Sequence, residues 1–332
     1  NFVHVDSGAA LTTPSGGRVF LLAREATNAG RIETPGGQTV LAAGREVYLQ
    51  APSTDTSPLY ASEANAKVPA TRGLLVEVGG GASGEAASNL GEILAARGNV
   101  TLVGLAVNQS GRISATTSVQ ENGSVFLLAR SGATATNDAG TVLKRASIGG
   151  QLTLGAGSRI DITPEASAAT STDSSAFTRS RIELSGQTIE LQSGAALRAP
   201  GAIVNARAAD VPDYETAAVD LPPSSTARIV LGAGSSIDVS GTTDAQVSAA
   251  RNYVSTELIG QADLKDAPLQ KLGPLYQKSG VVFDVREDVP ILGLEAGDAA
   301  NPYVQATART ASERLASGGT ISLQSTGLVA AH

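Results

Sequence analysis

Residues 16–44 read GGRVFLLAREATNAGRIETPGGQTVLAAG. Gly16-Gly17 precedes an apolar run, Val19 to Ala23, and twenty residues later Gly36-Gly37 precedes another, Val40 to Ala43. Between them lies a short polar piece, Asn28-Ala-Gly-Arg-Ile32. A chain that repeats one short strand at this interval is building rungs.

The repeat continues. Gly98-Asn-Val-Thr-Leu-Val-Gly104 is echoed by Gly123-Ser-Val-Phe-Leu-Leu-Ala129, and further strand candidates are 151–154, 187–191, 228–231 and 320–323. Several alternate apolar and polar residues, as a half-buried strand does. A second short element follows many of them, at 30–34, 111–114, 157–162, 194–197 and 234–239. The longest match pairs LTLGAGSRIDIT (152–163) with IVLGAGSSIDVS (229–240). The unit reads as strand, Gly-containing corner, short strand and turn, with a basic length of roughly 20–25 residues.

Helical repeats fit badly, because the units carry β-branched residues in period two with Gly at the corners. A leucine-rich repeat would show a Leu/Asn signature that is missing. The pattern predicts an all-β chain, a right-handed parallel β-helix (solenoid) with looped-out insertions, one of them partly helical. Stacked coils lie about 4.8 Å apart, so roughly eight to ten of them would extend some 40–50 Å. Gly serves corners that need positive φ, and parallel crossovers favour a right-handed path.

The composition agrees. Of 332 residues, 42% are hydrophobic, but only 3% are aromatic and Trp and Met are absent, which suits a thin core of Val, Ile, Leu and Ala. A net charge of −7 with scattered basic residues disfavours nucleic acid and anionic membrane as partners. The apolar runs are too short to span a bilayer, so no membrane insertion is expected. Cysteine is absent, which excludes disulfides and thiol chemistry. The chain opens mid-strand without an initiator Met and reads as a segment of something longer.

Four stretches break the period. Coils are expected over 1–241, with insertions near 51–72, 164–180 and 208–226. Residues 242–317 form a longer mixed insertion in which Gln305 to Ser317 reads as a helix stopped by Gly318-Gly319, and 318–332 return to the coils. Loops of such length are often functional.

The phrases GGRVFLLA, TNAGRI, TPGGQTVLAAG and EVYL at the start resemble the filamentous haemagglutinin family of bacterial exoproteins. The later phrases IDVSGTTDAQ, RNYVSTELIG, DAPLQ and GGTISLQSTG are similar to very large members of that family. The resemblance covers most of residues 1–330, more weakly in the Pro-rich loops. It implies a right-handed parallel β-helix, an extracellular or cell-surface location, and adhesion as the role. It implies export through an outer-membrane β-barrel transporter. It supplies no catalytic residue.

Chemistry is sparse. The two histidines, His4 and His332, lie near opposite ends, so neither a His-based triad nor a multi-His metal or haem site is expected. Asp161 and Asp238 occupy matching repeat positions. They could serve as paired carboxylates of a polysaccharide-active enzyme, but each also reads as an outward residue flanked by inward Ile160/Ile162 and Ile237/Val239. Gly79-Gly-Gly-Ala-Ser-Gly84 lacks the Lys-Ser/Thr of a phosphate loop. Asp173, Asp210, Asp213 and Glu215 match no calcium-binding spacing. No cofactor, metal or catalytic site is expected, and the chain is read as a non-enzyme. A recognition surface, if present, is expected at Arg251, Tyr253, Tyr276, Arg286 and Tyr303, with Phe283 and Asp284 among them. The function this supports is a rigid adhesive stalk meeting a host or neighbouring-cell receptor or glycan, with end-to-end or lateral self-association. The competing readings are a β-helical polysaccharide-active enzyme and a cargo-binding exoprotein.

Overall fold

A computed structural model describes residues 1–50, 73–80, 84–137, 141–144, 146–172, 174–211, 222–247, 249–257, 279–288, 295 and 302–332. The chain forms two compact units. The first comprises Asn1–Ser167, Phe177–Thr243 and Ala311–His332; the second comprises Ala168–Ala176 and Asp244–Thr310.

The first unit is built on three long parallel sheets. The first sheet runs through Phe2–Val5, Glu25–Asn28, Ala86–Asn89, Ala106–Gln109, Gln151–Leu154, Thr188–Leu191, Arg228–Leu231 and Leu328–Ala331. The second runs through Ala10–Thr12, Arg31–Glu33, Glu92–Ala96, Arg112–Thr117, Arg159–Pro164, Ala196–Arg198 and Ser236–Asp238. The third runs through Arg18–Ala23, Gln38–Ala43, Asn99–Gly104, Ser124–Ser131, Arg181–Gly186, Ile203–Ala208 and Thr320–Ser325. The chain visits first, second and third sheet in turn and then begins again. Residues 18–43 cover one such circuit, bringing Gln38 opposite Arg18 in the third sheet.

Each circuit therefore holds three strands, where the two-strand repeat unit read from the sequence has one fewer. That unit merges two sheets: Val19–Ala23 and Val40–Ala43 belong to the third, whereas 151–154 and 228–231 belong to the first. Both kinds of strand are short and put apolar residues in the same interior, so their side chains alone do not separate them.

In-register stacking aligns like with like. Leu21, Leu41, Leu102, Leu127 and Leu184 form one inward row of the third sheet. Ile32, Ile93, Ile113 and Ile160 form one of the second, and Val107, Leu152, Ile189 and Ile229 one of the first. The rows meet in a single core of Val, Ile, Leu and Ala. Each buried Leu or Ile contributes on the order of 1.5–3 kcal/mol.

The corner between first and second sheets comes in two forms. In the long form, Leu154, Leu191 and Leu231 are followed by Gly157, Gly194 and Gly234 at φ of 70°, 72° and 69°, values that favour Gly. In the short form, Asn28, Asn89 and Gln109 are followed by Gly30, Gly91 and Gly111, and successive backbones close up. A Cβ on Gly91 would lie 2.1 Å from the Gly30 carbonyl oxygen, and one on Gly111 2.0 Å from that of Gly91. Gly91→Ala is expected to destabilise the chain by about 3 kcal/mol, because backbone rather than a flexible side chain must give way. A denaturant midpoint equal to that of the parent would refute this.

The expected insertions differ in what is described. Residues 51–72 lie outside the described residues, and their flanks Glu46–Gln50 and Leu75–Gly79 pair antiparallel. Thr170–Ser171, within 164–180, pairs antiparallel with Arg309–Thr310, so two insertions far apart in sequence share strands in the second unit. Most of 208–226 lies outside the described residues. The helix expected from Gln305 to Ser317 is a correction: it is broken into Pro302–Gln305 and Ala311–Arg314, each four residues. Arg309 and Thr310 are drawn into the strand pair instead, a tertiary partner overriding helical preference.

Candidate recognition surfaces

In the second unit, Tyr253–Glu257 pairs antiparallel with Ser279–Asp284, setting Tyr253 opposite Asp284 and Val254 opposite Phe283. Successive side chains of a strand point to opposite faces. The pairing thus divides the expected recognition residues. On one side the exposed Tyr253 stands by Asp284, whose carboxylate accepts from Arg286 Nε at 2.9 Å and Nη2 at 2.5 Å. Those bonds hold the Asp284 carboxyl down at about 2 and raise the Arg286 guanidinium, so the pair is ionised across the physiological range. Any stability it lends is present above the ordinary carboxyl value and is lost only as pH falls through about 2. On the other side the buried Phe283 meets Tyr303 edge-to-face, with centroids 5.1 Å apart. Arg251 donates to the Ala308 carbonyl at 3.3 Å. Tyr276 lies outside the described residues. The structure places Tyr253 and Arg286 together, gives Tyr303 a packing role, and uses Arg251 to tie backbone.

The second surface is the outer face of the second sheet. One outward row runs Glu33, Leu94, Ser114, Asp161, Arg198, Asp238. Asp161 and Asp238 thus share a row with one strand between them, and Arg198 occupies that strand. Arg112 lies 3.4 Å from Asp161. The Ser240 amide donates to Asp238 at 2.9 Å, and bonds from Ser240, aided by Arg198, keep the Asp238 carboxyl below the usual range. Asp238 is an ionised carboxylate rather than a proton donor. Arg112, Asp161, Glu33, Leu94, Ser114 and Thr116 line a shallow groove of about 260 Å³.

The third surface was not legible in the sequence. The outward residues Val40, Ala42, Val103, Phe126 and Leu128 of the third sheet are covered by Val76 and Val78 of the antiparallel pair at 46–50 and 75–79. This hairpin gives part of the third sheet a second apolar layer. Beside that layer lies a buried charge cluster. Arg130, 1% exposed, donates from Nε to Glu77 Oε2 at 2.9 Å and from Nη2 to Glu77 Oε1. Glu183 accepts from Asn205 Nδ2 at 2.9 Å and has Arg181 Nη1 at 3.6 Å. Burial pushes the Glu183 carboxyl up to about 7, against the pull of Arg181, Asn205 and Arg130.

His4 lies 3.4 Å from Asp6 in the first strand, and the His332 amide donates to the Leu231 carbonyl. Hydrogen bonds from Ser224, and from Gln187 and Thr226 at 2.8 Å each, keep the Asp210 carboxyl below the usual range. Asp173, Asp213 and Glu215 lie outside the described residues. Among the described residues, no group of three or more His, Cys, Asp or Glu is placed to hold a metal ion, and no helix is long and apolar enough to cross a membrane. Comparison with protein-family models, with curated proteins and with solved structures found no match.

Proposed function

We propose that this chain is a right-handed parallel β-helix that serves as a rigid stalk in a large secreted bacterial surface protein, holding adhesive elements away from the cell. The observation that carries the reading is the cyclic order of three parallel in-register sheets, repeated circuit after circuit around one aliphatic core. Such a stack gains length without needing a thicker interior. The resemblance of most of residues 1–330 to filamentous haemagglutinins, strongest in the opening phrases, supports the extracellular location and export through an outer-membrane β-barrel transporter. Tyr253 with the Asp284–Arg286 pair is the surface we assign to contact with a receptor or glycan, since Tyr and Arg are enriched where binding energy concentrates. Lateral or end-to-end self-association is a further expected contact.

The test couples shape with attachment. Small-angle scattering of the isolated chain should report an elongated particle with a β-dominated circular dichroism spectrum. Beads coated with the chain should adhere to glycan arrays or bacterial surfaces, and Tyr253→Ala with Arg286→Ala should reduce that adhesion several-fold. A compact globular particle would sink the stalk reading. Cleavage of an acidic polysaccharide, lost on Asp161→Asn, would replace it with the enzymatic one.

A further inference from the structure

The groove on the outer face of the second sheet is shaped by side-chain size. Four neighbouring strands contribute to it, Arg31–Glu33, Glu92–Ala96, Arg112–Thr117 and Arg159–Pro164, so it crosses the strands over three spacings of about 4.8 Å each. In the outward row Glu33, Leu94, Ser114, Asp161, the small Ser114 stands between two larger side chains and leaves a depression of about 260 Å³. Leu94 is the apolar member of an otherwise polar row. The groups around the depression differ in how far they are satisfied. Glu33 is closed off by Arg31, which donates to it at 3.3 Å and to Glu92 at 2.8 Å. No hydrogen bond from the described residues reaches the Asp161 carboxylate; its ionic partner is Arg112 at 3.4 Å, whose side chain is half exposed. The Ser114 hydroxyl is shielded from solvent and has no hydrogen-bond partner among the described residues. An outlier holds one end of the groove. Arg97 follows the lining Ala96 at φ of 57°, two residues before Asn99, where Gly16 and Gly36 stand before Arg18 and Gln38. Its amide donates to Thr116 Oγ1 at 3.1 Å, and its guanidinium lies 3.7 Å from Glu165 and 3.9 Å from Glu121. A side chain kept in a backbone region that suits Gly is strain of the kind that gathers at binding sites.

We propose that this groove binds a short stretch of a neutral, extended glycan, laid across the strands so that successive sugars meet successive rungs. Asp161 accepts from sugar hydroxyls. Arg112 turns from Asp161 onto a ligand oxygen and opens the Ser114 hydroxyl to the ligand. Leu94 packs on the apolar C–H face of a sugar ring. The surroundings favour this class over others. All four strands are paired on both edges, so a peptide has no edge to extend. Glu33 and Asp161 beside a single Arg112 give the groove an excess of negative charge, which disfavours acidic glycans and phosphates. With Glu33 committed to Arg31, Asp161 lacks the second free carboxylate that glycoside cleavage uses, so the site binds without cutting. No aromatic ring lines the groove, so each contact is weak and gains strength where several chains engage a surface together. The site lies within the first unit, stands on the groove alone and is separate from the surface of Tyr253 and Arg286.

Saturation-transfer NMR of the whole chain tests it, with cellotetraose, xylotetraose, mannotetraose and chitotetraose as neutral probes and tetragalacturonate as the acidic one. At least one neutral probe should receive saturation and bind more tightly than tetragalacturonate. Ser114→Leu, which fills the depression and leaves every charge in place, should weaken that binding about tenfold, and Asp161→Ala by about as much. Both variants are first matched to the parent by circular dichroism; should Ser114→Leu fold poorly, Asp161→Ala decides alone. Tyr253→Ala with Arg286→Ala should leave the binding unchanged, so that failure of this site and failure of the adhesive surface are seen separately. No transfer to any neutral probe, tighter binding of tetragalacturonate, or undiminished binding by a folded groove variant would overturn the proposal.

Discussion

Replacing Arg130 with alanine lowers the unfolding free energy by about 3–5 kcal/mol, the range for removing one partner of a buried ion pair. Its side chain is among the largest fully buried ones in the chain, and its fork is filled by Glu77. The loss comes mainly from leaving the Glu77 carboxylate buried without its cation, with a smaller share from the packing of the Arg stem. The double replacement Glu77→Leu with Arg130→Met should recover most of the deficit, since an apolar pair of similar volume is often neutral or better. Urea unfolding of the two variants decides the matter. A loss under about 1 kcal/mol for Arg130→Ala is what a solvent-exposed pair gives, and would mean that the hairpin does not shield it.

Asn89→Ala is expected to cost about 2–4 kcal/mol, because it leaves two buried groups unsatisfied at once. Asn28 Nδ2 donates to Asn89 Oδ1, and Asn89 Nδ2 donates to Gln109 Oε1, each at 2.8 Å. All three side chains are fully buried. They also reach corner carbonyls: Asn28 that of Glu92, Asn89 that of Arg112 and Gln109 that of Gly111. The ladder thus ties each short corner to the next. Asn89→Leu should fare no better, although Leu154 occupies the next rung of the same row, because Leu154 comes with the longer Gly157 corner. A Leu variant as stable as the parent would show that the short corner holds its shape without side-chain hydrogen bonds.

The strand positions were legible because period two and Gly-led corners survive in a short repeat, and the core composition followed from the lack of aromatics. What was not legible depends on stacking. Asn28, Asn89 and Gln109 are separated by 61 and 20 residues, and each alone looks like a turn residue. Only the register makes them neighbours. The three-strand circuit was hidden because first-sheet and third-sheet strands share one apolar pattern. The second layer over the third sheet could have been suspected from Val40, Ala42, Val103, Phe126 and Leu128, apolar at positions where an exposed face would be polar. Of the expected recognition residues, Tyr253 and Arg286 come together beside Asp284, whereas Tyr303 packs on Phe283. The sequence could not tell Tyr303, turned against Phe283 from the short helix Pro302–Gln305, from Tyr253, left in solvent on its strand, since that depends on a tertiary contact between segments distant in sequence.

The stacked circuits also bear on how the chain acquires its structure. Asn89 and Gln109 become neighbours after 20 residues, so rungs spaced like these can be laid down soon after the one before, with modest loop-closure entropy. The last rung of the third sheet is different. Thr320 pairs with Ile203 across 117 residues (320 minus 203), and all of Asp244–Thr310 lies in between. Its closure carries the larger entropic barrier and must wait for that intervening stretch to be synthesised. The expected order is early, sequential winding of the first circuits and a slow final step that docks Thr320–Ser325. During synthesis, the edge of Ile203–Ala208 would remain open to mispairing until that step is done.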